Sequence, residues 1–185
     1  MIREAKAEEA GAIVDLFKVI LSDMEHPVME EVSWDELRPA LVHAAKSEQF
    51  RQSYKNALVK VVDGEVVGFC FGYPGGESEE YASLSRLIES FDLPPFETFM
   101  VEETMEGEWY LDSLVTRADY RGRGVGKELM EAAYAKAHAM GLPVVGLNVD
   151  HDNPRARKLY EAQGFKKVKE VRLVDHLYDH MQKKV

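Results

Sequence analysis

Trp109-Tyr110-Leu111-Asp112-Ser113-Leu114-Val115-Thr116, followed by Arg121-Gly122-Arg123-Gly124-Val125-Gly126, is the stretch that decides how this chain is read. The first run has the β-branched and aromatic content of a strand. The second opens a helical pattern that continues to about Met140. Three glycines and two arginines between a strand and a helix make an anion site. Glycine lets the backbone approach a ligand closely. The first N–H groups of a helix have no partner within it and lie at the positive end of its dipole, so a pyrophosphate there accepts several hydrogen bonds. The spacing Gly122, Gly124, Gly126 does not meet the dinucleotide fingerprint G-x-G-x-x-G. Lys127-Glu128 after the last glycine fails the ATP-binding P-loop, which needs Lys-Ser/Thr there.

A second segment works with the first. Leu147 to Asn153 leads into Pro154-Arg155-Ala156-Arg157-Lys158-Leu159-Tyr160-Glu161-Ala162-Gln163-Gly164-Phe165. Asn153 is a natural N-cap, Pro154 suits the first helical position, and Gly164 suits the stop. Together the two segments resemble the GCN5-related N-acetyltransferase (GNAT) family. Its loop, Arg/Gln-x-x-Gly-x-Gly/Ala, is satisfied by Arg121-x-x-Gly124-x-Gly126. Its later motif, roughly Asn-x-x-Ala-x-x-Leu-Tyr-x-x-x-Gly-Phe, is matched by Asn153, Ala156, Leu159, Tyr160, Gly164 and Phe165. The opening Ile2-Arg3-Glu4-Ala5 also looks like the family's first strand.

The resemblance implies acetyl-CoA as cosubstrate and no metal. It implies that the amides of Arg121, Gly122, Arg123, Gly124, Val125 and Gly126 hold the pyrophosphate. Leu114, Val115 and Thr116 then pair with the pantetheine arm as with an extra strand, Asn153 contacts that arm, and Tyr160 lies near the thioester sulfur.

Composition narrows the remaining choices. A length of 185 residues suggests one domain, 1–185, with a real core. No segment approaches the roughly 20 apolar residues of a membrane span, and the first residues lack a signal-peptide pattern, so a cytoplasmic protein is expected. The lone Cys70 sits in an apolar run and reads as a small buried hydrophobe. A net charge of −10 argues against nucleic acid as the main partner. The charge is unevenly spread. Pro74 to Glu108 holds ten acids against Arg86 alone, whereas Arg155, Arg157, Lys158, Lys166, Lys167 and Lys169 crowd the second motif. The basic part suits an anionic cofactor. The acidic parts suit a cationic acceptor or simply a solvated surface.

Periodicity fills in the rest. Ala10 to Leu21 recur at helical spacing, Ser33-x-x-Glu36 is a capping box, and Asp63-Gly64 joins two strands as a hairpin. Gly68 and Gly72 in the second of these strands suggest close approaches. Residues 74–107 are too long for an ordinary connection and carry a helical pattern from Tyr81 to Phe91, so a helical insertion is expected there as a pocket wall, a surface embellishment or a dimer contact. The expected fold is α/β (α+β): a mixed, mostly antiparallel sheet of about seven strands flanked by about four helices.

Acetyl transfer to an amine requires a deprotonated amine, a stabilised oxyanion and a leaving thiolate. Tyr160 is the candidate acid, with cofactor contact alone as the rival role. Strand alternation puts Glu108, Tyr110 and Asp112 on one side, making Asp112 first and Glu108 second as candidate base or amine anchor. The histidines show no metal-ligand spacing and read as surface or hairpin residues. The expected reaction is direct attack by a primary amine of a small molecule or peptide. A non-catalytic acyl-CoA sensor, another acyl donor, an interaction role for 74–107 and a homodimer all stay open.

Overall fold

The computed structural model describes residues 1–23, 25–76, 84–94, 103–173 and 175–185. Seven strands form one sheet in the order β1-β2-β3-β4-β5-β7-β6. They are β1 (Ile2–Glu4), β2 (Ala57–Val62), β3 (Glu65–Pro74), β4 (Trp109–Thr116), β5 (Val144–Asp150), β6 (Lys166–Leu173) and β7 (His176–Lys184). All neighbours are antiparallel except β4 and β5. The Asp63-Gly64 turn has positive φ at both residues (50° and 83°), as a tight hairpin linking β2 and β3 requires.

Two apolar layers cover the sheet. On one face α1 (Ala10–Asp23) and α3 (Trp34–Lys46) bury Ile13, Phe17, Leu37 and Leu41 against Val59, Phe69, Phe71 and Val115. On the other, α5 (Val125–Ala139) buries Val125, Leu129, Met130 and Ala133 against Leu58, Cys70, Trp109 and Leu111. Tyr160 of α6 (Pro154–Ala162) packs at the border of this second layer. Ser33 caps α3 through the expected box, its Oγ accepting from Glu36 N while the Glu36 carboxylate accepts from Ser33 N. Cys70 is buried, and burial pushes its thiol up to about 12.

Among the described residues six α-helices are seen: the expected four, α4 (Leu84–Glu89) within the expected helical insertion, and one short turn not expected, α2 (Val28–Glu31). Within 74–107, α4 docks Leu84 and Ile88 on the α1/α3 layer. Tyr81, Phe96, Phe99 and Met100, expected to extend that apolar pattern, lie outside the described residues. The two ends of this connection are tied together. Gly75 N donates to Glu108 O at 2.8 Å and Gly76 N to Thr104 Oγ1 at 2.8 Å. Gly72 leaves room for the indole of Trp109, which any Cβ there would strike.

Two irregularities create the site. The β3–β4 register passes from Phe71↔Ser113 to Gly72↔Leu111, so Asp112 is an extra, bulged residue. A bulge bends a strand and sharpens its twist. The parallel β4–β5 pairing then holds only at Trp109↔Val145 and Tyr110↔Gly146. Beyond that point the strands part, and the β5-facing edge of β4 from Leu111 to Thr116 has no ladder partner among the described residues.

Candidate active site

The parted edge of β4 runs through a short turn into the glycine loop. Gly122 and Gly124 have φ of 77° and 84°, left-handed values that glycine alone adopts readily. Gly124 is the N-cap of α5 and no side chain caps it. The amides of Val125, Gly126 and Lys127 are therefore the orphan donors of this helix start, whereas Glu128 N already bonds Gly124 O at 3.0 Å. A Cβ at Gly122 or Gly124 would meet nothing within 4 Å among the described residues. Val125 is buried and anchors the turn. Arg121 Nε donates to Thr116 O at 3.3 Å, and Arg123 lies 4.9 Å from the Tyr120 ring. Both guanidiniums thus stay beside the loop. Leu114 sides with the α5 layer and Val115 with the α1 layer, which places Thr116 with the loop.

On that same α5 face stands Tyr160. Its ring packs edge-on against Phe165 at 5.9 Å, and burial pushes its phenol up to about 12. Asn153 Oδ1 accepts from Ala156 N at 3.0 Å, so the cap leaves only the side-chain amide to face a ligand. Asp179 of β7 holds this helix in place. Its carboxylate, 1 % exposed, accepts from Arg157, from His151 at 2.7 Å and from Lys167 at 2.8 Å. Burial alone would raise it, but these donors prevail and hold it down at about 2.

The opposite face carries the acid-base groups. Asp112 Oδ1 accepts from Tyr73 Oη at 2.8 Å and Oδ2 from Ser113 Oγ at 2.7 Å. Burial raises this carboxyl, against the pull of those two donors and of Arg51. Arg51 lies over the Tyr73 ring at 5.2 Å. Glu103 Oε2 accepts from Tyr110 Oη at 3.1 Å. Burial first, then the Asp112 charge, push Glu103 up to about 7 against that hydrogen bond and Arg51. Burial likewise raises the Tyr73 and Tyr110 phenols far above their usual range.

Alternation does put Glu108, Tyr110 and Asp112 on one face, but it does not give them one environment. Glu108 is sealed in, its side chain 0 % exposed, accepting from Gln182 at 2.7 Å and Met105 N at 2.8 Å and facing His180 at 2.9 Å. Its carboxylate fills the space where Gly146 lacks a Cβ. Glu108 therefore has no direct access to an acceptor. His180, expected among the surface or hairpin residues, is fully buried. His151 and His176 instead pair with Asp179 and Asp150. The fold also brings Asp150, Asp152 and His176 within reach of one another, a grouping their sequence spacing does not suggest. Glu103 is the group that sequence reading passed over. No local signal marked it: it stands next to Thr104, whose tie to Gly76 is made only by the fold.

A parted strand edge thus feeds an uncapped, glycine-lined helix start. Residues 16–165 match the Acetyltransferase (GNAT) family, and the chain belongs to it. It is similar over its whole length to a solved acetyltransferase, with 40 % identity, TM-score 0.81 and coverage of 100 % of this chain and 99 % of that one. An N-acetyltransferase from Staphylococcus aureus Mu50 is 26 % identical with TM-score 0.80, over 99 % and 100 % of the two chains. GCN5-related N-acetyltransferase 4, chloroplastic, of Arabidopsis thaliana is 37 % identical over 60 residues, 32 % of this chain and only 21 % of that relative's length. At the level of fold alone, PaiA N-acetyltransferase from Thermoplasma acidophilum, solved in complex with coenzyme A, has TM-score 0.60 at 17 % identity, over 100 % and 98 % of the two chains.

Proposed function

We propose that the protein is an acetyl-CoA-dependent N-acetyltransferase that acetylates a primary amine by direct attack. The observation that carries this reading is the continuity of the open β4 edge, Leu111 to Thr116, with the orphan amides of Val125, Gly126 and Lys127. An extended arm ending in a pyrophosphate fits that path: the strand edge offers ladder hydrogen bonds and the helix start offers anion donors. The loop donors suit a diphosphate whichever acyl group it carries.

Side chains from the two faces meet the two halves of the reaction. Tyr160, on the cofactor face, keeps its proton at neutral pH because burial holds the phenol near 12. Handing that proton to an ordinary thiolate of pKa near 8.5 is uphill by roughly 5 kcal/mol. Tyr160 therefore acts by donating a hydrogen bond to the leaving sulfur rather than by releasing its proton. Asp112 and Glu103, on the other face, attract an ammonium group and bring it to the parted strands. This favours acceptors that carry extra positive charge, and positioning of aligned reactants supplies much of the rate, up to ~7–11 kcal/mol.

The test is release of free thiol from acetyl-CoA with a panel of spermidine, kanamycin, a lysine-bearing peptide and glycine, whose carboxylate leaves it without net charge. Turnover led by the cationic amines is expected. Tight CoA binding without thiol release on any amine would make the protein a sensor built on the same fold, and a preference for glycine would remove the cationic acceptor.

A further inference from the structure

In sequence Glu103 is one acid of an acidic run; in the structure a chain of hydrogen bonds ends on it. Asn148 Nδ2 donates to the main-chain oxygen of Glu103 at 3.1 Å and to Tyr110 Oη at 3.0 Å. A carbonyl oxygen only accepts, which fixes the orientation of the Asn148 amide. Tyr110 Oη, accepting from Asn148, sends its own proton to Glu103 Oε2. Behind Asn148, its Oδ1 accepts from His180 Nδ1 at 2.7 Å. His180 Nε2 faces Glu108 Oε2 at 2.9 Å, with both side chains 0 % exposed, so one proton lies between them. Gln182 and the Met105 amide complete Glu108, and the His180 ring lies parallel to that of Tyr110, 8° apart at 6.2 Å. From His180 outward every donor points the same way, toward the Glu103 carboxylate.

We propose that Glu103 takes the proton of the attacking amine, and that Tyr110, Asn148 and His180, braced by Glu108, are positioning residues that aim its carboxylate and hold it ionised. The inference rests on the acetyltransferase reading above and identifies the base within it. The ammonium group gives one proton to Glu103, the freed amine nitrogen bonds the thioester carbonyl carbon, the C–S bond breaks with its electron pair left on sulfur, and the second nitrogen proton leaves on the thiol. The chain orients and does not conduct, since a side-chain amide such as Asn148 does not pass on a proton without changing its bonding.

Tyr110 and Asp112 of β4, Tyr73 of β3, Tyr178 of β7 and Arg51 before β2 are the titratable and charged groups around Glu103. Asp112 and burial disfavour the ionised form; Tyr110 and Arg51 favour it. Their balance leaves a group poised close to neutrality, where a base is both ionised and basic enough to accept a proton.

The first experiment needs no acceptor. Carbon-13 labelled glutamate, with Glu103→Gln for assignment, gives the carboxyl titration of Glu103 by NMR in the full chain. A midpoint near 7 is expected, moved upward by Tyr110→Phe, which removes a donor, and downward by Asp112→Asn, which removes a charge. The second is the pH profile of kcat/KM with the panel amine of fastest turnover. Glu103→Gln should cost roughly 100-fold or more and erase the limb near neutrality, with CoA binding unchanged. An ordinary midpoint near 4.3, or one that Tyr110→Phe leaves in place while the melting temperature falls, overturns the inference. Normal transfer with a limb that survives Glu103→Gln overturns it alone, whereas no thiol release from any amine overturns the acetyltransferase reading as well.

Discussion

The two faces of the parted β4–β5 pair are built from different material. The face proposed for the cofactor is made of main chain: the edge of β4, two glycines with positive φ and the first amides of α5. The face proposed for the acceptor is made of side chains, Tyr73, Glu103, Tyr110, Asp112, Asn148 and His180, drawn from four strands and the end of a long connection. A main-chain site asks little of residue identity except where a Cβ would intrude or φ turns positive. A side-chain site depends on identity at every position and on contacts far apart in sequence. The same chemistry thus rests on one element robust to substitution and another sensitive to it.

The sharpest way to break this contrast is to spoil the main-chain site without harming the fold. Gly126→Asp puts a carboxylate in the first turn of α5, where it favours the helix dipole but opposes a pyrophosphate. A Cβ there meets only Thr116 Oγ1, at 3.9 Å, so the side chain has room. CoA affinity should fall roughly 100-fold, about 2.7 kcal/mol by calorimetry, with no loss of melting temperature.

Next comes Asp179→Asn, which tests whether the main-chain site needs side chains to hold α6. The folded carboxyl is depressed to about 2, below its ordinary value of about 3.9. Its contribution is therefore present above pH 4 and lost as pH falls through 2. Denaturant unfolding should show the variant less stable by ~2 kcal/mol at pH 7, with the gap closing toward pH 2.

Tyr160→Phe should lower kcat about tenfold, ~1.4 kcal/mol, and leave CoA affinity in place, as expected for a hydrogen bond made to a leaving group. A loss of affinity equal to the loss of kcat would move Tyr160 from chemistry to binding. The smallest effect is expected at Asn153. Asn153→Ala should cost ~1 kcal/mol of stability through the lost cap, and Asn153→Asp should restore it. If CoA affinity falls in both variants, the amide also touches the ligand.

The same contrast explains what was legible in sequence. The strand Trp109–Thr116, the loop and α5 could be read at once, because positive φ favours glycine and because helix starts and stops have local signals at Asn153, Pro154 and Gly164. The Asp63-Gly64 hairpin and the Ser33 box are legible for the same reason. The acceptor face is not, since Tyr110 and Asn148 are 38 residues apart and His180 and Glu108 are 72 apart. Alternation placed Glu108 on the correct side of β4 but says nothing of depth. Its depth depends on Gly146, whose missing Cβ leaves room for the carboxylate and which lies far off in sequence. A short turn such as α2 leaves too few residues to show a period.

The extra residue at Asp112 has a practical corollary for anyone wishing to redesign this scaffold. Tyr110 before it joins the polar network with Glu103 and Asn148, and Leu114 after it packs in the α5 layer, while the ladder to β3 is kept on both sides. The strand thus behaves as two modules spliced at a single position. Libraries aimed at new acceptors can be confined to residues upstream of the splice, leaving the grip on the donor unrandomised downstream.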